Sequence, residues 1–156
     1  MATDPAPTYP SDLPVLALRQ TVAFPLTLQP LAVNRPASIE SVNRALSADR
    51  LLFLTLQNDM ADDPEPGDLR RVGTIVAIRQ MAKAPTGAIH IIVEGLTRAR
   101  AETVTRNGLA LRATVEPQPD RVERTLEVDA YVRRLQELID RALSVTSGLS
   151  QARTWR

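Results

Sequence analysis

Cysteine is absent from this chain, which excludes disulfides and thiolate metal sites while saying little about compartment. Aromatic residues are scarce, with two Phe, two Tyr and one Trp, so a core must be built from Leu, Ile, Val and Ala, and stacking platforms for nucleic-acid bases are hard to assemble. Excess charge is lacking too: 19 basic residues stand against 18 acidic ones, a net of +1. No strong field for phosphate backbones or anionic lipid follows, and nucleic acid is not an expected partner. No run approaches the ~18 apolar residues of a membrane span. The first dozen residues have neither the basic nor the apolar region of a signal peptide. The expectation is a soluble, cytoplasmic chain with no membrane partner.

Catalytic and metal-binding signatures are missing as well. No G-x-x-x-x-G-K-[ST] occurs, so there is no cradle for nucleotide phosphates. Lys83 is the sole lysine and lies far in sequence from any Ser, so a Ser-Lys nucleophile pair has no basis. His90 is the only histidine and reads as a surface or packed residue instead of a metal ligand. Asp59, Asp62, Asp63, Glu65 and Asp68 do not follow the calcium-loop spacing and read as a solvated acidic loop. Nothing sets Glu94 and Glu102 across a cleft as an acid/base pair. Arg98 and Arg100 alternate along a strand and read as a solvated face paired with nearby acids. No catalytic residue, cofactor or metal is expected in these residues.

What the chain does contain is a mainly β pattern with helix added (α+β). Met1 to Asp12 is proline-rich and polar and is expected to be a loose lead-in. Leu13 to Leu18 reads as a first strand. Leu26 to Val33 reads as a second that Pro30 confines to an edge or bulge. From Pro36 the apolar spacing becomes helical through Ile39, Val42, Ala45 and Leu46, with exit at Ser47 to Asp49. Leu51 to Leu56 suits a buried strand, and Asn58 to Asp68 a loop. Arg71 to Met81 and Ala88 to Leu96 form a long hairpin joined through Lys83, Pro85, Thr86 and Gly87. Apolar residues fall on both faces of that hairpin, as in a curled sheet. Arg98 to Val104 and Leu109 to Val115 flank Asn107-Gly108, a strong hairpin signal. Residues 118–143 begin a helical extension. Within it Val128, Val132, Leu135, Leu138, Ile139 and Ala142 give an amphipathic helix from Arg121 to about Leu143. Its stripe calls for a partner, either the sheet or further helices. Residues 144–156 lack a period and are expected to be a frayed tail or cloning remnant.

Three blocks in order carry a resemblance: Leu13-Pro-Val-Leu-Ala-Leu-Arg19 with Phe24-Pro25, then Asp68-Leu69-Arg70-Arg71-Val72-Gly73-Thr74, then Val93-Glu94-Gly95-Leu96-Thr97-Arg98-Ala99. At these distances the chain resembles the LON amino-terminal domain of Lon-type ATP-dependent AAA+ proteases, over about Leu13 to Ala101. Gly73 and Gly95 read as strand-end positions where a barrel corner needs close backbone approach or unusual φ. Leu26 stands where the family often has Gly or His, and Ala32 where Phe is frequent. These departures bear on surface chemistry. The resemblance implies a six-stranded PUA-like pseudobarrel over residues 13–117 with one short helix, followed by the amphipathic helix. It further implies a parent chain in which this domain captures unfolded or damaged proteins for quality control, while AAA+ and Ser-Lys peptidase modules of the same chain, using ATP and Mg, degrade them. The parent would be an oligomeric serine endopeptidase.

Phe24, Pro25, Leu26, Met81, Ala82, Ala84 and Pro85 are the candidate polypeptide-binding surface. Placed at turns, they would leave apolar side chains in water, and such patches mark interaction sites. Met81 adds adaptability to varied segments. The alternative for Phe24 and Leu26 is that they plug the barrel end. Two other functions compete with substrate recognition: a stand-alone LON-domain adaptor with no protease attached, and, on fold analogy alone, a PUA-like nucleic-acid binder.

Overall fold

The computed structural model describes residues 7–121 and 123–151. It divides into two compact units at the 120/121 boundary. The first holds six strands and one helix in the order β1 (Asp12–Leu18), β2 (Leu28–Val33), α1 (Pro36–Leu46), β3 (Leu51–Gln57), β4 (Leu69–Lys83), β5 (Ile89–Asn107) and β6 (Ala110–Pro117), with a 3₁₀ turn at Pro66–Asp68. The second holds α2 (Leu126–Gln151).

The sheet order is β2-β5-β4-β3-β1-β6, and β6 also pairs with β5. Five strands thus form a closed circuit of pairings, and β2 is attached outside it along the first part of β5. β5 makes this possible by its length. The sequence suggested two strands, split near Thr97, yet the backbone runs on as one strand of 19 residues. Its Ile89–Glu94 half serves β2, and its Ala99–Asn107 half serves β6. Register shifts lie between Ile75 and Val76 and between Ile78 and Gln80 in β4, and between Ala101 and Thr103 in β5. Such irregularities bend strands around a corner.

Alternation along the strands sorts the apolar residues into two cores. Leu16, Leu52, Leu54, Val76 and Ile78 belong to one, together with Val42 and Ala45 of α1 and Ile89, Ile91 and Val93 of β5. Val15, Ala17, Phe53 and Ile75 belong to the other, with Ala99, Ala101, Leu111 and Ala113. The continuous apolar runs in β3 and β4 therefore need no polar face, because both sides are buried. Gly73 and Gly95 lie inside β4 and β5, not at strand ends. The close approach is nonetheless real: a Cβ on Gly73 would overlap the carbonyl oxygen of Leu54, and one on Gly95 that of Phe24.

Other expectations need correction. Ordered structure reaches back into the supposed lead-in: Tyr9 packs on the second core, the carbonyl of Ser11 accepts from Val115 N–H at 2.7 Å, and β1 starts at Asp12. Residues 1–6 of that lead-in lie outside the described residues. The second strand starts at Leu28 and not at Leu26, which is part of a turn. The β5–β6 connection is Gly108-Leu109, since Asn107 pairs with Ala110. Gly108, with φ 63°, takes the first central position, where a type II′ turn favours glycine. α2 begins at Leu126 and not near Arg121, because Thr125 caps it: the Thr125 hydroxyl accepts from Val128 N–H at 3.2 Å and its carbonyl from Asp129 N–H at 3.0 Å. The same helix continues through the supposed tail as far as Gln151. Residues 152–156 are outside the described ones.

The candidate surface along strand five

Residues 22 to 28 approach β5 as an exposed ridge. Pro25 and Leu26 occupy a tight turn, and Leu26 has φ 63°, the left-handed conformation that the third position of a type II turn requires and that normally selects glycine. The turn is held from both sides. Leu26 N–H donates to the Gly95 carbonyl at 2.9 Å, Gly95 N–H donates to the Thr27 carbonyl at 2.9 Å, and the Thr27 hydroxyl donates to the Phe24 carbonyl at 2.7 Å. Glycine at 95 lets this backbone approach. Ala23 is the buried residue of the segment, its carbonyl accepting from the Thr74 hydroxyl at 2.6 Å. Phe24 is 62% exposed and Leu26 90%, so neither is packed into a core.

At the start of β5, Ala84 to Gly87 close the β4–β5 hairpin. Gly87 N–H donates to the Ala84 carbonyl at 3.0 Å, and Ala84 N–H donates to that of Ala88 at 2.8 Å. Pro85 presets the second position of this turn. Between this hairpin and the ridge at Gly95, the outer face of β2, β5 and β4 forms a shallow groove of about 490 Å³. Cross-strand register builds it: Ala32, His90 and Ala82 form one row, and Pro30, Ile92 and Gln80 the next. Small side chains at 32 and 82 keep it open. Met81, 41% exposed, lines it as well. Arg79 and Glu94 form an ion pair with each other.

The seven candidate residues are therefore not all in one place. Met81 and Ala82 line the groove. Phe24, Pro25 and Leu26 stand beyond its Leu28 end, against Gly95, which is four residues and so about 13 Å along β5 from the partner of Met81. Ala84 and Pro85 occupy the hairpin tip. Missed from sequence were Leu28, Pro30, Ala32, His90 and Ile92. Their signal was a period of two: Val22, Phe24, Leu26 and Leu28 are alternate, apolar and exposed, and Pro30 and Ala32 continue the exposed series. His90 is exposed in the floor of this groove.

The acidic loop is less free than its composition suggested. Arg19 pairs with Asp62, and Arg106 contacts Asp63 at 3.1 Å and the Pro64 carbonyl at 3.0 Å. Buried Gln57 donates to the carbonyls of Asp59 and Ala61, each at 2.8 Å, and accepts from Arg35 at 2.8 Å. Arg35 also donates to the Ala17 carbonyl. Burial, and then the neighbouring Arg19, hold the Arg35 guanidinium below its ordinary pKa, which leaves it charged at neutral pH. Among the described residues, no cluster of His, Asp or Glu has the form of a metal site, and no helix is long and apolar enough to cross a membrane. Arg98 pairs with Asp120 at 3.2 Å.

Comparison with known proteins gives a consistent result. Residues 12–154 match the family model described as the ATP-dependent protease La (LON) substrate-binding domain. A protein named Lon protease from Solibacter usitatus is 34% identical over 139 residues, 88% of this chain and 17% of that protein. One from Dictyoglomus thermophilum is 35% identical over 136 residues, 87% of this chain and 17% of its own length. The chain thus spans about a sixth of the relatives it matches. Among solved structures, the N-terminal domain of Mycobacterium avium complex Lon protease superposes with a TM-score of 0.65 at 20% identity, covering 89% of this chain and 71% of that one. A Lon N-terminal domain protein from Xanthomonas campestris gives 0.61 at 19% identity, covering 82% and 73%.

Proposed function

This chain belongs to the family of ATP-dependent protease La (LON) substrate-binding domains, and from that premise we propose that it holds exposed apolar segments of unfolded or damaged polypeptides for degradation. On this reading a longer, oligomeric, cytoplasmic parent carries the ATPase and peptidase modules, with ATP and Mg used there. Contacts by the single domain are weak, and repetition across the oligomer supplies avidity.

The observation that carries the proposal is the groove across β2, β5 and β4 with its apolar ridge. Leu28, 68% exposed, leads from Leu26 and Phe24 towards Pro30, Ala32, Ile92 and Met81. An exposed apolar patch of this kind is a marker of a binding surface. Its shallowness and small residues suit many side chains instead of one. The test is a charge placed in the groove at an exposed position. Ala82→Glu and Ala32→Glu are expected to retain the fold and to weaken binding of a reduced, alkylated unfolded protein by roughly tenfold, as a charge set against an apolar ligand would. Unchanged affinity in both variants would remove the groove from the account.

A further inference from the structure

A second groove lies on the other side of β2, between its free edge and the carboxyl half of β1. β1 has β6 beside it only over Asp12–Val15. Leu16–Leu18 pairs with β3 on one side and, among the described residues, has no strand on the other. β2 is likewise a sheet edge. The space between them is about 360 Å³ and is bounded by residues 16–21 and 29–35 with Ser38.

Register shows which backbone groups border it. Gly95 N–H donates to the Thr27 carbonyl, so residues 27, 29, 31 and 33 turn their backbone groups to β5, while Leu28, Pro30 and Ala32 turn theirs to the free edge. Pro30, which has no N–H to give the ladder, sits where none is needed. The floor contains the partly buried Leu18 and Leu31. Around them, Gln20, Gln29 and Asn34 offer amide side chains, none used in a hydrogen bond within the described structure. An amide both donates and accepts, as a peptide group does. The lining includes the guanidinium groups of Arg19 and Arg35 and no carboxylate. Arg19 is paired with Asp62, whereas Arg35, which donates to Gln57 and the Ala17 carbonyl, makes no ion pair among the described residues, so one guanidinium charge is left unmatched.

We propose that this groove binds an extended polypeptide segment through its backbone, as a strand added to the edge of β2, with a carboxylate of the segment facing Arg19 and Arg35. This rests on the polypeptide-binding reading above and adds to it a second site with different chemistry: edge hydrogen bonds are indifferent to side-chain identity, whereas the outer groove selects apolar surface. Pro30 limits the edge to two donors, Leu28 and Ala32. It thereby blunts edge-to-edge pairing between copies of the chain and keeps the bound segment releasable. The carboxylate is either an acidic side chain or a chain terminus, since both present the same group to the guanidiniums.

The test uses the 156-residue chain and one unstructured, apolar-poor peptide containing an aspartate, prepared with ordinary amides and with its central amides N-methylated. The ordinary peptide is expected to bind, the N-methylated one at least roughly tenfold more weakly. Pro30→Ala, which adds an edge donor, is expected to tighten binding by roughly fivefold. Asp-to-Asn substitution in the peptide and amidation of its C-terminus separate the two carboxylate sources, and loss of affinity in one of them is required. Ala82→Glu, on the outer groove, leaves this binding unchanged even where it weakens capture of unfolded protein. Equal affinity for both peptide forms, or no gain from Pro30→Ala in a folded chain, overturns the proposal. Loss of peptide binding in Ala82→Glu does so too, by assigning the peptide to the outer groove.

Discussion

Leu26 holds an exposed apolar side chain on a backbone conformation that favours glycine. Holding a leucine there costs about 1–2 kcal/mol, against roughly 0.5–1 kcal/mol of extra chain entropy lost when a glycine is ordered. Leu26→Gly is therefore expected to raise stability by about 0.5–1 kcal/mol in chemical denaturation while weakening capture of unfolded polypeptide. A loss of stability would mean that the leucine serves packing and not binding. Gly95 shows the opposite constraint. A methyl group there overlaps the backbone oxygen of Phe24, which cannot retreat without breaking the turn at Leu26. Gly95→Ala should cost at least about 2–3 kcal/mol, and a midpoint of unfolding unchanged from that of the parent would contradict the fit. The family-like motif around Gly95 was legible from sequence, and of the two reasons a glycine could stand there, close approach or unusual φ, the fold shows the first. The partner was not, because Phe24 is distant in sequence and only the fold brings its carbonyl to β5.

Among the elements, β1 keeps β3 on one side but among the described residues lacks a second strand neighbour beyond Val15, and Arg35 stands in for one. Its guanidinium, at the entrance of α1, donates to the Ala17 carbonyl and to Gln57, which in turn holds the loop after β3. Removing a charged donor from part-buried acceptors typically costs about 1.5–3 kcal/mol. Arg35→Ala should therefore destabilise by that amount, and Lys should restore little, because a single ammonium cannot reproduce the fork. Full rescue by Lys in thermal unfolding would show that charge alone mattered. Strands and α1 were readable because their apolar period matches their burial: Val42 and Ala45 face a core as their spacing requires. β5 was misread as two strands because Glu94 to Arg98 breaks the apolar pattern where the strand passes from β2 to β6. The start of α2 was placed too early because the apolar period that begins at Val128 does not mark where the helix is capped, at Thr125. Arg35 had no sequence signal at all, since its role depends on Ala17 and Gln57 meeting across the fold.

At the scale of the molecule, the two units are expected to separate in their energetics. Both cores are drawn from residues of the first unit, Leu13 to Val115, so the chain shortened after Asp120 should unfold in one cooperative transition with its midpoint within a few degrees of the parent's. Failure of that fragment to fold would assign α2 a part in the core. The apolar stripe of α2 remains exposed at Val132, Leu135, Leu138 and Ile139, which makes it the rival to the β-sheet as a surface for polypeptide. An isotope-labelled sample of the whole chain, titrated with a reduced and alkylated unfolded protein and followed by NMR, separates the two directly. Recognition by the outer groove predicts shift changes centred on Leu28, Ala32, Met81, Ala82, His90 and Ile92. Changes confined to α2, or none at high ligand concentration, would contradict it.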